Sequence, residues 1–178
     1  MKHTLLALVI IATLFSCKKK DTTPSTNNTI TPPNTQSAYY IQGTVKGSVI
    51  KADMIPTGQA DSTYTYYQAS TPLVSMTKYV NFSPTNFQSW SLAFYYDLDA
   101  ITVPVTYNGS IDQLVLSYSP PGGITYPYVN DPADSTTILT LTSKAGDILE
   151  GTFSGTLMSP TDTIIVTNGA FKVKVVRK

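Results

Sequence analysis

An all-β fold, one antiparallel sandwich or barrel-like domain, is predicted by three observations. Apolar and polar residues alternate with period two through most of the chain beyond Ala38. Apolar residues at helical spacing are nearly absent from the same stretch. Turn signals built from Gly, Pro and Asn recur at short intervals, so the pattern reads as roughly nine or ten short strands.

The elements follow in order. Tyr39, Ile41, Gly43 and Val45 share one parity, with Gln42, Thr44 and Lys46 on the other. The parity then flips, because Ile50, Ala52 and Met54 alternate with Lys51 and Asp53. A hairpin turning at Gly47-Ser48 as a type II′ turn accounts for the flip. The stretch from Pro56 to Phe87 is mixed: Tyr64, Tyr66 and Tyr67 favour a strand, while Pro72 and Pro84 favour loops. Trp90, Leu92, Phe94 and Tyr96 form a face for burial, opposite Ser89, Ser91 and Ala93. Ile101, Val103, Val105 and Tyr107 repeat that pattern, and Pro104 removes a ladder donor, which places the strand at an edge or a bulge. Asn108-Gly109 reads as a type I′ turn leading into a strand from Ile111 to Tyr118. Pro120-Pro121-Gly122-Gly123 and Asn130-Asp131-Pro132 bracket a long loop, and Thr137 to Thr142 is a short β-branched strand. Leu149, Gly151, Phe153, Gly155 and Leu157 line one face of the next strand. Thr163 to Val176 closes the chain, with Asn168-Gly169 read as a glycine bulge inside one long strand.

Ahead of this domain, residues 1–16 have the order of an export signal. Lys2 and His3 give a basic start, Leu5 to Phe15 an apolar run and Ser16 a small residue before the cut. The run is shorter than the roughly 20 apolar residues of a membrane-spanning helix. Residues 17–37 read as a linker, since Asp21 to Ser37 is almost all Thr, Pro, Ser and Asn, with Pro24, Pro32 and Pro33. Such a segment has too little apolar surface to offset the entropy of ordering it. The β-domain is assigned to residues 38–178.

Composition narrows the chemistry. The chain has one histidine, His3, and one cysteine, Cys17. The domain beyond residue 38 therefore has no Ser-His-Asp triad, no Cys-His pair, no histidine-ligated metal site and no disulfide. Within it eight Lys/Arg residues face ten Asp/Glu residues, a slightly acidic balance. Nucleic acid is excluded as a partner, because phosphate recognition wants a basic face.

The tetrapeptide Leu14-Phe15-Ser16-Cys17 resembles a bacterial lipobox. That resemblance implies a diacylglycerol or acyl lipid on Cys17, which becomes the first mature residue; chains of this kind hold a protein on a membrane durably. Gly151-Thr152-Phe153-Ser154-Gly155-Thr156-Leu157 followed by Val166-Thr167-Asn168-Gly169-Ala170-Phe171 resembles the ending of small envelope lipoproteins from Bacteroidota. Ile41-Gln42-Gly43-Thr44-Val45 is similar to their opening. The likeness covers both ends of the domain and little of its middle. It implies a β-rich envelope lipoprotein with no assigned activity. Surface-exported lipoproteins of that phylum tend to carry acidic residues after the cysteine. Lys18, Lys19 and Lys20 stand there instead, so the resemblance implies the periplasmic face of the outer membrane.

Candidate site residues are few. Asp97 and Asp99, two apart at a strand end, and Asp131 with Asp134 in an oxygen-rich loop are weak calcium candidates, because calcium takes six to eight oxygens. No metal or other cofactor is expected, apart from the lipid on Cys17. Glu150 is the one glutamate, and a polysaccharide hydrolase would need a second carboxylate facing it. The twelve tyrosines are the better clue, since outward rings with polar tips suit sugar faces and protein partners. Tyr126 and Tyr128, in a proline-stiffened loop, are the preferred contacts, with Tyr95 and Tyr66 beside them. The expected function is non-catalytic binding of a glycan or an envelope protein by a membrane-anchored domain. A structural or assembly role in an envelope complex and a carboxylate-only hydrolase are the alternatives.

Overall fold

The computed structural model describes residues 38–83, 85–122 and 126–178. Cys17, the signal segment and the linker lie outside the described residues. The domain is all-β, as its alternation predicts. The strands are β1 (Tyr40–Val45), β2 (Ser48–Ala52), β3 (Thr65–Gln68), β4 (Leu73–Ser83), β5 (Asn86–Tyr95), β6 (Val105–Asn108), β7 (Val115–Ser119), β8 (Tyr128–Asn130), β9 (Ile138–Ala145), β10 (Ile148–Met158), β11 (Thr163–Lys174) and β12 (Val176–Arg177). Among the described residues helix is confined to the single turn α1, Asp61–Tyr64.

These strands form one continuous curled sheet in the order β12-β3-β4-β5-β7-β8-β10-β11-β1-β2, with β9 and β6 branching from β10. The barrel-like alternative is therefore the one realised, in place of two stacked sheets. The path also returns on itself. Met54, just past β2, pairs with Tyr79 of β4 through two backbone hydrogen bonds of 3.0 and 2.9 Å. One expectation needs correction, because the sheet is mixed. β12 continues β11 past Val175 and lies parallel to β3, with Val176 opposite Tyr66. Both segments run toward the same end of the sheet, so only parallel pairing is open to them.

The inward parity of each strand builds a single core. Ile41, Val74, Met76, Trp90, Leu92, Phe94, Leu116, Leu149, Val166 and Val173 are all fully buried. A file of rings runs through it, from Phe171 to Phe153, Trp90, Tyr118 and Tyr128, with centroids 6.5, 5.7, 4.7 and 6.4 Å apart. Glycines make room for the rings. A Cβ on Gly43 would sit 3.1 Å from the Trp90 indole, and one on Gly151 would sit 2.7 Å from the Phe171 ring. Gly43 and Gly151 are thus packing devices.

Several local expectations change. The first hairpin turns at Lys46-Gly47, with φ of 48° and 79°, a type I′ turn whose twist matches the strands it joins. Asn108-Gly109 makes no hairpin between β6 and β7; β6 pairs with β9, and β7 lies between β5 and β8. The Asn108 side chain accepts from Ser110 N, and its carbonyl accepts from Ile111 N and Asp112 N, which coils the chain until Val115. Tyr96 lies beyond the end of β5 and is exposed. β11 does run unbroken through Asn168-Gly169, where Asn168 has φ 50° and the pairing with β10 slips by one residue. The bulge reading holds.

The last side-chain contact of note plugs the wall. Lys78 points inward, its side chain only 3% exposed, and its Nζ donates to Asp61 Oδ1 at 2.9 Å. α1 thus fills the gap between Met54 and β3 along the edge of β4. Gly151→Ala is expected to lower stability by about 1–3 kcal/mol through overpacking against Phe171 and the β9 backbone, as read from urea denaturation midpoints.

Candidate functional site

Hairpin turns of an antiparallel sheet alternate between its two ends, and this sorts the tyrosines. The turns β1–β2 (Lys46-Gly47), β4–β5 (after Ser83) and β10–β11 (Ser159 to Asp162) lie at one end, with the start of β8. At the mouth formed by that end, the described residues leave a depression of about 250 Å³ lined by Val45, Lys46, Ile50, Tyr118, Tyr128 and Ile164 among others. Val45, Tyr118 and Ile164 are inward-facing core residues, so the floor is apolar.

One carboxylate organises the rim. Asp162 Oδ2 accepts from Lys46 Nζ at 2.8 Å and from the Tyr128 hydroxyl at 3.0 Å, while Oδ1 accepts from Thr163 N at 2.8 Å. The turn that carries it is itself pinned, with Ser159 N donating to Asp162 O and Asp162 N to Ser159 Oγ. The Lys46 ammonium first, then the Tyr128 hydroxyl and the Thr163 amide, hold the Asp162 carboxyl below its ordinary range. The same hydrogen bond raises Lys46. Under the rim, Gln88 Nε2 donates to the Tyr118 hydroxyl at 2.8 Å, fixing the ring that forms the floor. The loop beside it is tied down where Gly122 N donates to Asn86 Oδ1.

Of the four tyrosines singled out from the sequence, Tyr128 lines this mouth and Tyr126 stands two residues before it, 63% exposed. Tyr95 and Tyr66 do not join them. Tyr95 pairs with Leu73 at the far end of β5 and lines a separate depression of about 280 Å³ with Gly109, Gln113, Leu114, Val115 and Pro132. Tyr66 lies on β3 with Lys178 Nζ 3.7 Å above its ring, an internal cation–π contact. Tyrosines on different strands of one sheet need not share a surface, and Tyr66, Tyr95 and Tyr128 do not.

The weak calcium candidates have other partners. Both Asp99 oxygens accept from Arg177, at 2.7 and 3.0 Å, and that guanidinium depresses the Asp99 carboxyl. Asp97 Oδ1 accepts from the Tyr67 hydroxyl and from Asp99 N. Asp131 and Asp134 cap the backbone amides of Ala133 and Thr136, which is turn chemistry. Among the described residues no three His, Cys, Asp or Glu side chains gather as a metal site. Glu150 pairs with Lys172 at 2.7 Å on the outer wall.

Lys46, Asp162, Tyr118 and Ile164 are site residues that reading along the chain missed. Lys46 and Asp162 are 116 positions apart, and each is an ordinary turn residue by itself. The signal available was topological: both sit in turns at the same end of an antiparallel sheet. Comparison with protein-family models, with curated proteins and with solved structures gave no match.

The pH behaviour of the rim follows from the shifts. A depressed Asp162 stabilises the fold above its unfolded value and loses that contribution as pH falls through its folded one; a raised Lys46 loses its share as pH rises through its own. The latch is therefore intact across neutral pH. Acidification below the normal carboxylate range is expected to free Tyr128, and Asp162→Asn to do so at neutral pH, both read from the Tyr128 ring resonances by NMR.

Proposed function

We propose that this chain is a membrane-tethered, non-catalytic recognition protein of the bacterial envelope whose β-domain binds a glycan at its open mouth. The observation that carries the reading is the rim of Tyr128, Asp162 and Lys46 above an apolar floor. Sugars present an apolar face for a ring and hydroxyls for charged and hydrogen-bonding groups, and the mouth offers both. At about 250 Å³ it has room for a single sugar unit.

The tether reading rests on the Leu14-Phe15-Ser16-Cys17 ending and the Thr/Pro-rich stretch after it. The likeness to small Bacteroidota lipoproteins supports it, and the lysine triplet favours the periplasmic face of the outer membrane. Strand direction is consistent with that arrangement. β1 starts beside Lys172 and runs toward the Lys46-Gly47 turn, so the linker joins the domain at the end opposite the mouth.

Neither alternative has comparable support. Among the described residues, none of the four main depressions is lined by the two carboxylates that hydrolysis of a polysaccharide would require. A permanent assembly role favours a broad apolar patch, whereas the rim of the mouth is polar.

Screening the acylated full chain against envelope and dietary polysaccharides is expected to give binding that Tyr128→Ala weakens about 10- to 100-fold, the scale of a contact aromatic. Absence of binding to every glycan would remove the reading. Cys17→Ala is expected to move the protein from the membrane to the soluble fraction, and continued membrane fractionation would refute the tether.

A further inference from the structure

The mouth is not an isolated pit. Lys46 and Ile164, which line it, also line a second depression of about 380 Å³ on the outer wall. The two depressions therefore meet at these side chains. Strand parity builds the outer one. Val45, Ile164 and Val166 are buried in the core, so their neighbours Thr44, Thr163, Ile165 and Thr167 stand on the outer face of β1 and β11. Thr44 and Thr167 are opposite one another across that ladder, and Ile165 is 67% exposed beside them.

The boundary between the depressions is low. The Lys46-Gly47 turn crosses it, and a Cβ on Gly47 would meet nothing within 4 Å, so open space lies over the turn. The Lys46 stem forms the saddle, steadied by the bond from its Nζ to Asp162 Oδ2 at 2.8 Å. An ammonium has three N–H donors, and Asp162 accepts one of them.

The lining decides the class of ligand. Among the described residues Lys46 is the one charged group lining either depression, and Asp162 already neutralises it. A carboxylate or sulfate on the ligand would find no unpaired cation there. The outer depression otherwise offers threonine hydroxyls, which both donate and accept, beside isoleucine side chains. That mixture suits an uncharged ring with hydroxyls on its edge and an apolar face. β1 is paired with β2 and β11, and β11 with β10 and β1, so this wall presents side chains and no strand edge for a peptide to extend.

We infer that the ligand of the mouth is an uncharged oligosaccharide chain that crosses the rim, with one unit beside Tyr118 and Tyr128 and the next on the outer wall against Ile165, Thr44 and Thr167. The inference rests on the glycan reading of the mouth and extends it. Buried Val45 and Tyr118 close the floor, so a chain longer than one unit cannot continue inward. Over the Lys46-Gly47 turn the outer depression receives it.

The test titrates the full chain with neutral gluco-, manno-, galacto- and xylo-oligosaccharides of increasing length, and with galacturonic acid oligomers of the same lengths, following backbone amides by NMR. A single unit is expected to shift Tyr128. Longer chains are expected to shift Thr44, Ile165 and Thr167 as well, and to bind about tenfold more tightly or better. Thr44→Val combined with Thr167→Val removes both hydroxyls while keeping side-chain shape and strand propensity. It is expected to weaken the disaccharide about tenfold more than the single unit. The length series itself needs no variant to fold. Equal affinity at every length, with shifts confined to the mouth, would overturn the inference and leave the glycan reading standing. Silence of every amide toward every sugar would remove both. Tighter binding of the galacturonic acid oligomers would also overturn the inference, because the ligand would then be an acidic chain.

Discussion

Closure of the sheet rests on Trp90. Its indole N–H reaches across the interior to Ile50 O at 3.1 Å, linking β5 to β2, two strands far apart along the sheet path that are joined by no ladder. Its ring lies against Phe153 and Tyr118 and occupies the space that Gly43 leaves by having no Cβ. An indole buried with its donor satisfied is a strong packing anchor. Without it the β1–β2 hairpin would be tied to the β4 side by little beyond the Met54–Tyr79 pair. The floor of the mouth would also lose its support, because Tyr118 rests on that ring.

Polarity is arranged along the axis of the sheet. At the end where β1 begins and β12 finishes, Arg177 bridges Asp99 and Asp147, Lys172 pairs with Glu150, and Lys144 Nζ donates to Leu98 O. At the mouth the rim charges are Lys46 and Asp162, neutralising one another. Exposed ion pairs add little stability each, so the Arg177 cluster matters chiefly for holding the last residues onto β3. The mouth is the less charged end, where tyrosine rings and aliphatic side chains meet water.

Much of the wall was legible from alternation. Trp90, Leu92 and Phe94 are buried as one face, as are Leu149, Gly151, Phe153, Gly155 and Leu157. Misreadings cluster where a side chain outcompetes the ladder. Asn108 accepts from the amide of Ser110 and turns a would-be hairpin into a coil. Asn130, buried at the end of β8, accepts from Leu116 N and donates to Leu114 O, doing the work of a strand where none continues. Within Pro120 to Pro132, β8 has only three residues, too short to show a period. It nonetheless joins β7 to β10 and carries Tyr128 to the mouth.

By itself the sequence determined the all-β class, the inward parity of the long strands and the lack of histidine and cysteine from the domain. Each of these depends on composition or on neighbours two residues apart, which local backbone geometry dictates. Tertiary structure alone decided the order of the strands, the parallel pairing of β12 with β3, the mouth with Lys46 and Asp162 on its rim, and the separation of Tyr128 from Tyr95 and Tyr66. Those outcomes depend on which distant edges meet when the sheet curls, and a period-two pattern is the same whichever neighbour a strand finds.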